Sequence, residues 1–327
     1  MTTVIKGKAR IYACGGAGIN IGKKLEQFRG TSEVGLTDLE ITYIDTSRSN
    51  LDGTVSGEHC YLLEGLDGSG KIRRDNYKAI SDNTRKILQS FAPLDINIII
   101  SSGSGGSGSV IAPSLATELL DNDQNVIVIV IGSADSRIDI DNTLKTLKSY
   151  DAISQKRERP VVAAYFQNSA DTPRSKVDES VVSVLFSLTT LFSRENKELD
   201  TRDLYNFLNY HRVTSFKPKL VGLTVHIGDV PENATNDVIS VASVITDEVA
   251  LQFIPEYRCV GYLSADVTPD IAKNMPMHFL THNDSFSAVA DALSEKLDSL
   301  EKIQKARIDS KTVITSKDVA NDDGMVF

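Results

Sequence analysis

Residues 96–111 of the chain read INIIISSGSGGSGSVI, an apolar run followed by a loop of glycine and serine. An apolar run without alternation is typical of a strand that is buried on both faces of a sheet. Downstream, Ile111, Leu115 and Leu119 recur at helical spacing. Glycines between a strand and a helix let backbone N–H groups approach an anion, and the helix N-terminus adds favourable partial charge. The stretch therefore predicts a strand, a phosphate-binding loop and a helix in succession.

A second glycine loop stands near the start of the chain. Residues 14–20 read CGGAGIN, follow an apolar run at 9–14 and precede the helix-spaced Ile21, Leu25 and Phe28. A flexible turn is the alternative interpretation of either loop by itself. Both loops follow strands of one predicted sheet, and open α/β sheets bind ligands along that edge. The pair therefore predicts a nucleotide site.

The order of elements in the first half of the chain predicts the fold class. Short apolar runs alternate with helical patterns, which is typical of a Rossmann-like, doubly wound parallel α/β sheet. A long periodic helix follows Pro173, with Val181, Leu185 and Leu188 on its apolar face. The apolar runs of the first half lie at 9–14, 39–45, 59–63, 96–101, 126–132 and 160–166.

The second half of the chain predicts a smaller α+β domain. The apolar runs at 220–227, 257–264 and 277–281 predict strands, and 236–246 predicts a helix between them. A last amphipathic helix contains Phe286 and Ile303. Residues 318–327, DVANDDGMVF, carry three aspartates and no basic residue, too polar and short to form a core of their own.

Composition excludes several classes of protein. The chain has 327 residues, 41% of them hydrophobic, with 35 basic and 44 acidic residues and a net charge of −9. An acidic chain is unsuited to non-specific binding of nucleic acid or anionic membranes. Three widely spaced cysteines favour a reducing cytoplasm over a secreted disulfide scaffold. With no signal pattern and no apolar run of about 20 residues, we expect a soluble cytoplasmic protein.

Two common nucleotide motifs match only in part. Gly103-x-Gly105-x-x-Gly108 has the dinucleotide spacing, but the acidic residues about 20 positions on, Asp121 and Asp123, lie before the next strand instead of at its end. Residues 65–71, GLDGSGK, match the start of a P-loop, yet Ile72 stands where a hydroxyl should bind Mg²⁺. A monomeric P-loop-like or dinucleotide-binding enzyme therefore stays open as the alternative function. A scaffold that binds nucleotide without hydrolysing it is a third.

A set of motifs in fixed order resembles the tubulin/FtsZ/TubZ GTPase superfamily. Residues 104–110 are similar to its glycine signature, and 199–203, LDTRD, to the loop that closes its central helix. The serine in the signature and the ending NDDGMVF are most similar to the phage tubulin branch. The other segments that match the family begin with its first phosphate loop and end with its central helix. They lie at 15–20, 44–46, 65–71, 138–142 and 177–192.

The resemblance implies an architecture and an activity. The chain would be a GTP hydrolase, activated by self-assembly into head-to-tail filaments that position phage DNA or virions in the cytoplasm of the bacterial host. Its own surface would bind neither nucleic acid nor membrane. The implied parts are a GTP-binding domain at 1–173, a connecting helix at 174–195, a second domain with the catalytic loop at 196–284, a C-terminal helix at 285–309 and an acidic assembly tail at 310–327.

The resemblance also implies a binding site for GTP or GDP, with Mg²⁺ carried on the nucleotide and no metal-ligating residue assigned. Asp178 would accept N–H groups of guanine, as a carboxylate is able to do; the alternative is an acid in a helix's first turn. The nucleotide-binding residues so implied are Gly15, Gly16, Ala17, Gly18, Asn20, Asp45, Gly68, Ser69, Gly70, Gly105, Gly106, Ser107, Gly108, Ser109, Asp141, Asn142 and Asp178.

Asp200 and Asp203 form the implied catalytic pair. By resemblance they meet the GTP of the neighbouring subunit and orient the attacking water. The residues themselves equally suit an N-cap followed by an acid at the third helical position. Glu198 stands where the family has Asn, so no role is assigned to it. The resemblance further implies that the acidic tail docks on a basic surface of the next subunit. The alternative is that the tail is solvated and makes no contact.

Two other patterns predict no chemistry. His278 and His282 are four residues apart, but on a strand-like run after Pro276, so we do not expect them to bind metal. Cys14 adjoins the first glycine loop, where it is expected to be a small apolar residue and not a nucleophile.

Overall fold

The computed structural model describes residues 6–27, 37–51, 53, 55–169, 171–246, 251–263 and 275–308. The predicted acidic tail at 310–327 lies outside these ranges. The described strands are β1 Lys8–Cys14, β2 Asp38–Asp45, β3 Cys60–Leu62, β4 Ile96–Ser102, β5 Val126–Ser133, β6 Val161–Asn168, β7 Asn196–Lys197, β8 Leu220–Ile227, β9 Val238–Ile245, β10 Tyr257–Leu263 and β11 Met277–His282. The α-helices are α1 Gly15–Gln27, α2 Tyr77–Ser90, α3 Gly108–Asp121, α4 Arg137–Arg157, α5 Arg174–Leu191, α6 Thr201–Leu208 and α7 Ser285–Ile308.

The first six strands form a parallel sheet in the order β3-β2-β1-β4-β5-β6. The sequence prediction of a doubly wound α/β sheet is thereby confirmed. The central strands are buried on both faces, as in β5, where every residue is buried. Because all six strands run in one direction, the loops that follow them meet at one edge of the sheet.

The sheet continues into the second half of the chain. Strand β8 pairs in parallel with β6, with Val161 opposite Leu220, and the order then runs β8-β11-β9-β10-β7. The smaller second unit is therefore built on strands hydrogen-bonded to the first. The boundary at 195/196 stays a prediction.

The predicted helix at 236–246 is wrong. Residues Val238–Ile245 form β9, which pairs with β10 on one side and β11 on the other. Its valines and isoleucines are stiff at χ1 and pack well in a sheet. The buried hydroxyl of Ser240 lies 2.6 Å from Thr281 Oγ1, so this polar group is satisfied within the sheet.

The connecting helix and the last helix confirm the sequence pattern. Helix α5 begins directly after Pro173, and its Val181, Leu185 and Leu188 are buried in the main core. Helix α7 packs against α4 through Leu293, which lies in a small apolar cluster with Ile140 and Leu144. Among the described residues, the helices are all too short or too polar to cross a membrane.

Candidate nucleotide site and catalytic loop

A cleft of about 720 Å³ lies at the carboxyl ends of the parallel strands. Its walls include the last residues of β1, β2, β4, β5 and β6, so five consecutive loops of the sheet contribute to it. This is the edge at which open α/β sheets bind ligands. The cleft brings together the predicted residues Gly15, Gly16, Ala17, Asp45, Gly68, Ser69, Gly105, Gly106, Ser107, Gly108 and Asp178.

The two glycine loops meet backbone to backbone in this cleft. Gly15 has a φ of +68°, and a Cβ there would lie 3.0 Å from the backbone N and Cα of Gly108. A Cβ on Gly108 would lie 2.6 Å from the carbonyl oxygen of Cys14. Side chains at either position would separate the loops. Glycine is therefore required here by the close approach of the two chains.

A chain of hydroxyl groups joins three of the loops. The Oγ1 of Thr46, after β2, lies 2.5 Å from Ser107 Oγ, after β4. Ser107 also lies 3.3 Å from Ser69 Oγ in the 65–71 loop. The contacts hold the loops in one arrangement, which lowers the ordering cost of binding a ligand between them.

Asp45 anchors the loop that follows β2. Its Oδ1 accepts a hydrogen bond from the Thr46 backbone N–H at 2.7 Å, and its Oδ2 accepts one from the Asn50 side-chain amide at 2.7 Å. Burial raises the pKa of this carboxyl above its ordinary value, and the hydrogen bonds from Asn50 and Thr46 oppose that rise. Asp45 thus lies at the floor of the cleft, already partly satisfied by its own loop.

Asp178 lies on α5 with its side chain at the cleft wall. It is only 6% exposed, and its Oδ2 is 2.6 Å from the Nζ of Lys24 on α1. It lies beyond the first turn of α5, which contains no acidic residue, so the first-turn interpretation is not supported. The lysine partly neutralises the buried carboxylate and fixes its orientation.

Six of the predicted nucleotide-binding residues do not line the cleft. Gly18 is buried, and a Cβ there would lie 2.4 Å from the Ile100 carbonyl oxygen. Ser109 donates its hydroxyl to the Gly105 carbonyl at 2.5 Å, so it shapes the loop from behind. Asn20 and Gly70 are exposed outside the cleft.

Asp141 and Asn142 lie in the adjoining groove between α3 and α4. The Asp141 carboxylate pairs with Lys145 at 2.5 Å. The amide of Asn142 donates to the carbonyl oxygens of Ser104 at 3.1 Å and Lys71 at 2.9 Å. Asn142 therefore ties two cleft loops together instead of facing the cleft.

The predicted catalytic pair, Asp200 and Asp203, caps the N-terminus of α6 as a reciprocal capping box. Asp200 Oδ1 accepts from the backbone N–H groups of Arg202 at 2.7 Å and Asp203 at 2.9 Å. Asp203 Oδ2 accepts from the Asp200 backbone N–H at 3.2 Å, and its Oδ1 from the Tyr257 hydroxyl at 3.2 Å. The capping interpretation is therefore confirmed. Among the described residues, no side chain or backbone group donates to Asp200 Oδ2.

This loop lies at the opposite edge of the sheet from the cleft. Thr201 and Leu204 line a groove together with Lys8, Asp95 and Asn125, which stand at or just before the starts of β1, β4 and β5. Helix α5 runs from Arg174 at the cleft to Phe192, its C-cap, in this groove, and its 18 residues span about 27 Å at 1.5 Å per residue. Within one molecule, the acid pair and the cleft cannot act on the same ligand.

Comparisons with known proteins assign the chain to a family. A family model described as the C-terminal domain of phage tubulin-like proteins matches residues 199–284, the part that contains the predicted catalytic loop. A phage tubulin-like protein of Pseudomonas phage phiKZ is 30% identical over 337 aligned residues, covering 98% of this chain and 99% of the relative. The chain belongs to the phage tubulin-like proteins.

Solved structures agree in fold. This phage tubulin-like chain is similar to the protofilament of TubZ from bacteriophage PhiKZ, with a TM-score of 0.84, 30% identity and coverage of 98% of this chain and 100% of the other. The phage tubulin PhuZ-GDP structure has a TM-score of 0.82 at 21% identity, again covering 98% of this chain and 100% of the other. That second likeness concerns the fold alone.

The phage tubulin-like fold places residues in the cleft that sequence reasoning missed. Lys71 has a φ of +65°, and its Nζ lies 2.6 Å from Oδ1 of the buried Asp139. The Ser136 hydroxyl donates to Asp139 Oδ2 at 2.6 Å. The P-loop-like pattern that ends at Lys71 could have indicated that this lysine lies at the site. The pattern Ser136-x-x-Asp139 could have indicated the start of a helix. Asn168 also lines the cleft, and its buried Oδ1 has no hydrogen-bond partner among the described residues.

The two histidines and the cysteine for which the sequence predicts no chemistry are buried in the protein. His278 lies 2.8 Å from Ser243 Oγ, and burial lowers its pKa to about 4. His282 Nε2 lies 2.7 Å from Thr224 Oγ1. Cys14 is fully buried, which raises the pKa of its thiol. Within the described ranges, no three His, Cys, Asp or Glu side chains are grouped closely enough to hold a metal ion.

Proposed function

We propose that this protein is a GTPase that assembles head to tail into filaments and hydrolyses GTP at the junction between subunits. One observation carries the proposal: the nucleotide cleft and the Asp200/Asp203 loop lie at opposite edges of one sheet. A second copy stacked along the same direction brings the loop of one subunit onto the cleft of the next. Such a contact is heterologous and does not close, so it builds a filament.

The cleft suits a guanine nucleotide. Its glycine loops offer backbone N–H groups and hydroxyls to phosphates. The oriented carboxylate of Asp178 is able to accept the two N–H groups that guanine presents and adenine does not. A similar solved structure is the phage tubulin PhuZ-GDP. These features support GTP over ATP as the ligand.

The residues present also suit Mg²⁺ bound with the nucleotide. Mg²⁺ in nucleotide sites is held by phosphates and water together with one or two carboxylates. Asp45 and Asp67 line the cleft and are able to serve as those carboxylates. When bound, the ion would neutralise charge on the phosphates.

The filament would serve a transport role in the infected cell. The relative of known structure forms a protofilament, and the family is that of phage tubulin-like proteins. We infer that filaments of this chain position phage DNA or virions in the host cytoplasm. The filament would move that DNA without the subunit itself binding nucleic acid, in keeping with the net charge of −9.

Assembly and hydrolysis should appear together. We expect GTP, but not ATP or GDP, to give a polymer that pellets, and phosphate release per subunit to rise with protein concentration. Pelleting and phosphate release over a concentration series test this directly. Constant activity per subunit without polymer would instead support a monomeric P-loop-like or dinucleotide-binding enzyme. Polymer without any phosphate release would support a non-hydrolysing scaffold.

The predicted tail contact has a candidate acceptor in the described part of the chain. The adjoining groove between α3 and α4, about 940 Å³ in volume and bordered also by Tyr77 of α2, contains the exposed apolar side chains of Ile72, Tyr77 and Ile138. Six basic residues and one acidic residue, Asp141, border it. The tail sequence DVANDDGMVF combines negative charge with an apolar end, so it complements this groove. The basic residues are Lys71, Arg73, Arg74, Arg137, Lys145 and Lys148.

Removing the tail should weaken assembly without affecting nucleotide binding. We expect deletion of residues 318–327 to raise the protein concentration needed for polymer at least several-fold, because each longitudinal contact loses its electrostatic part. Lys148→Glu should do the same. Lys86→Glu, which reverses an exposed charge outside the groove, is the matched control. Unchanged polymer after tail deletion would contradict the docking and favour a solvated tail.

A further inference from the structure

An arginine stands between the two carboxylates of the catalytic loop. Arg202 lies in the first turn of α6, is exposed, and has its guanidinium carbon 5.3 Å from the centroid of the Tyr205 ring. The guanidinium of Arg212 lies 5.4 Å from the same centroid. A cation over an aromatic face is held without losing its charge. The ring therefore restrains Arg202 beside the acid pair.

The guanidinium of Arg202 has no carboxylate partner among the residues that the structure describes. In the described part of the chain, neither Arg202 nor Arg212 forms an ion pair with any carboxylate. Asp200 and Asp203 are sequence neighbours of Arg202, yet their hydrogen bonds go to backbone N–H groups and to Tyr257. The loop thus exposes a guanidinium together with the acids.

The cleft that this loop would meet is deficient in positive charge. Among the described residues, Lys71 and Arg174 are the basic residues that line it, and Lys71 is already paired with Asp139 at 2.6 Å. Its aspartates outnumber them. GTP adds several negative charges, and during hydrolysis charge is distributed over the oxygens of the transferring phosphoryl group. The lining aspartates are Asp45, Asp67, Asp135, Asp139 and Asp178.

We propose that Arg202 is a catalytic residue that donates guanidinium N–H groups to the γ-phosphate of the GTP bound by the neighbouring subunit. The inference rests on the proposed function. A water oxygen forms a bond to the γ-phosphorus while the bond to the β–γ bridging oxygen breaks. The electron pair of that bond stays on GDP, the γ-group leaves as inorganic phosphate, and the proton lost by water passes to solvent. Arginine stabilises the phosphoryl oxygens, and its planar fork matches their geometry.

The test measures hydrolysis per polymerised subunit in Arg202→Ala and Arg202→Lys filaments at saturating GTP. We expect both variants to bind GTP and to assemble. Hydrolysis should fall about 100-fold or more in Arg202→Ala, within the range for loss of such an arginine. Arg202→Lys should recover only a small part, because lysine lacks the fork. Added guanidinium ion should partly rescue Arg202→Ala and not the lysine variant.

Arg212→Ala is the matched control, since it removes the same group from the same ring but outside the catalytic loop. We expect its hydrolysis within a few-fold of the parent protein. Normal hydrolysis in Arg202→Ala filaments would overturn the inference while the proposed GTPase stands. Loss of polymer in both Arg202 variants would assign the residue to the assembly contact and also overturn it. A parent protein without concentration-dependent hydrolysis would remove the proposed function itself, and the inference with it.

Discussion

Asp200→Asn should slow GTP hydrolysis in filaments about 100-fold or more, the range expected for losing a group that handles the attacking water. Asparagine caps a helix as well as aspartate does, so the variant keeps the Oδ1 contacts to Arg202 and Asp203. It changes Asp200 Oδ2, the oxygen without a hydrogen-bond donor in the described part of the chain. The substitution therefore separates the charge of this residue from its capping role.

The measurement is phosphate release per pelleted subunit, with filament mass and GTP affinity recorded on the same preparations. Both should stay near parent values. Asp200→Ala is the complementary variant, because it removes both the carboxylate charge and the helix cap. Besides slowing hydrolysis, it should lower the free energy of unfolding by about 1 kcal/mol. A parent rate in Asp200→Asn filaments would leave capping as the whole role of this residue.

Asp203, the second acid of the pair, has hydrogen bonds to both of its carboxylate oxygens. Both oxygens of Asp203 accept hydrogen bonds, from the Asp200 backbone and from Tyr257. A carboxylate has about four acceptor positions, so these bonds still leave room for a water molecule. Capping and catalysis are therefore compatible at both residues. The motif DTRD alone had left them as alternatives, because the same spacing satisfies both.

The parallel sheet and its glycine loops were predictable because their signals are local. A run such as VIVIVI or INIII leaves no polar face, and a glycine loop directly after it has few other uses. The central helix α5 was equally predictable, because its apolar residues recur over five turns. These features were enough to predict the edge of the sheet at which the cleft lies.

Strand β9 shows where local signals fail. The segment VISVASVI is apolar at helical and at strand spacing, so its period does not decide between the two. Its partners decide: β10 and β11 lie on either side of it and satisfy its backbone groups. Those partners are distant in sequence, and no window around residues 238–245 contains them.

The predicted α4 residues lie outside the cleft for a different reason. The sequence prediction chose Asp141 and Asn142, whereas Asp139 lines the cleft. Two residues along a helix turn the side chain by about 200°. The two residues between Asp139 and Asp141 therefore exchange the face toward the cleft for the face toward the adjoining groove, whereas Asn142, three residues from Asp139, bonds to the carbonyl oxygens of two cleft loops. Lys71, which comes from a loop 68 residues earlier, fixes the orientation of Asp139.

The second large effect is expected at Gly106, where the loop after β4 meets the 65–71 loop. A Cβ on this residue would lie 1.9 Å from Ser69 Oγ, 2.7 Å from Ser69 Cβ and 3.0 Å from Lys71 Cα. Rotation of the Ser69 hydroxyl removes only the first of these clashes. The other two involve atoms that move only with the loop, so Gly106→Ala should push the two loops apart.

We expect Gly106→Ala to bind GTP about 10- to 100-fold more weakly, since overpacking costs about 1–3 kcal/mol and 1.4 kcal/mol is a factor of ten in affinity. Gly105→Ala is the matched control: it adds the same methyl group one residue earlier, where the nearest heavy atom, Ser102 Cβ, is 3.8 Å away. Calorimetric titration with GTP and thermal unfolding without nucleotide measure the two variants. Gly105→Ala should unfold at the parent temperature and retain the tighter binding of the two. Equal affinity in both variants would mean that the contact between the loops does not shape the phosphate site.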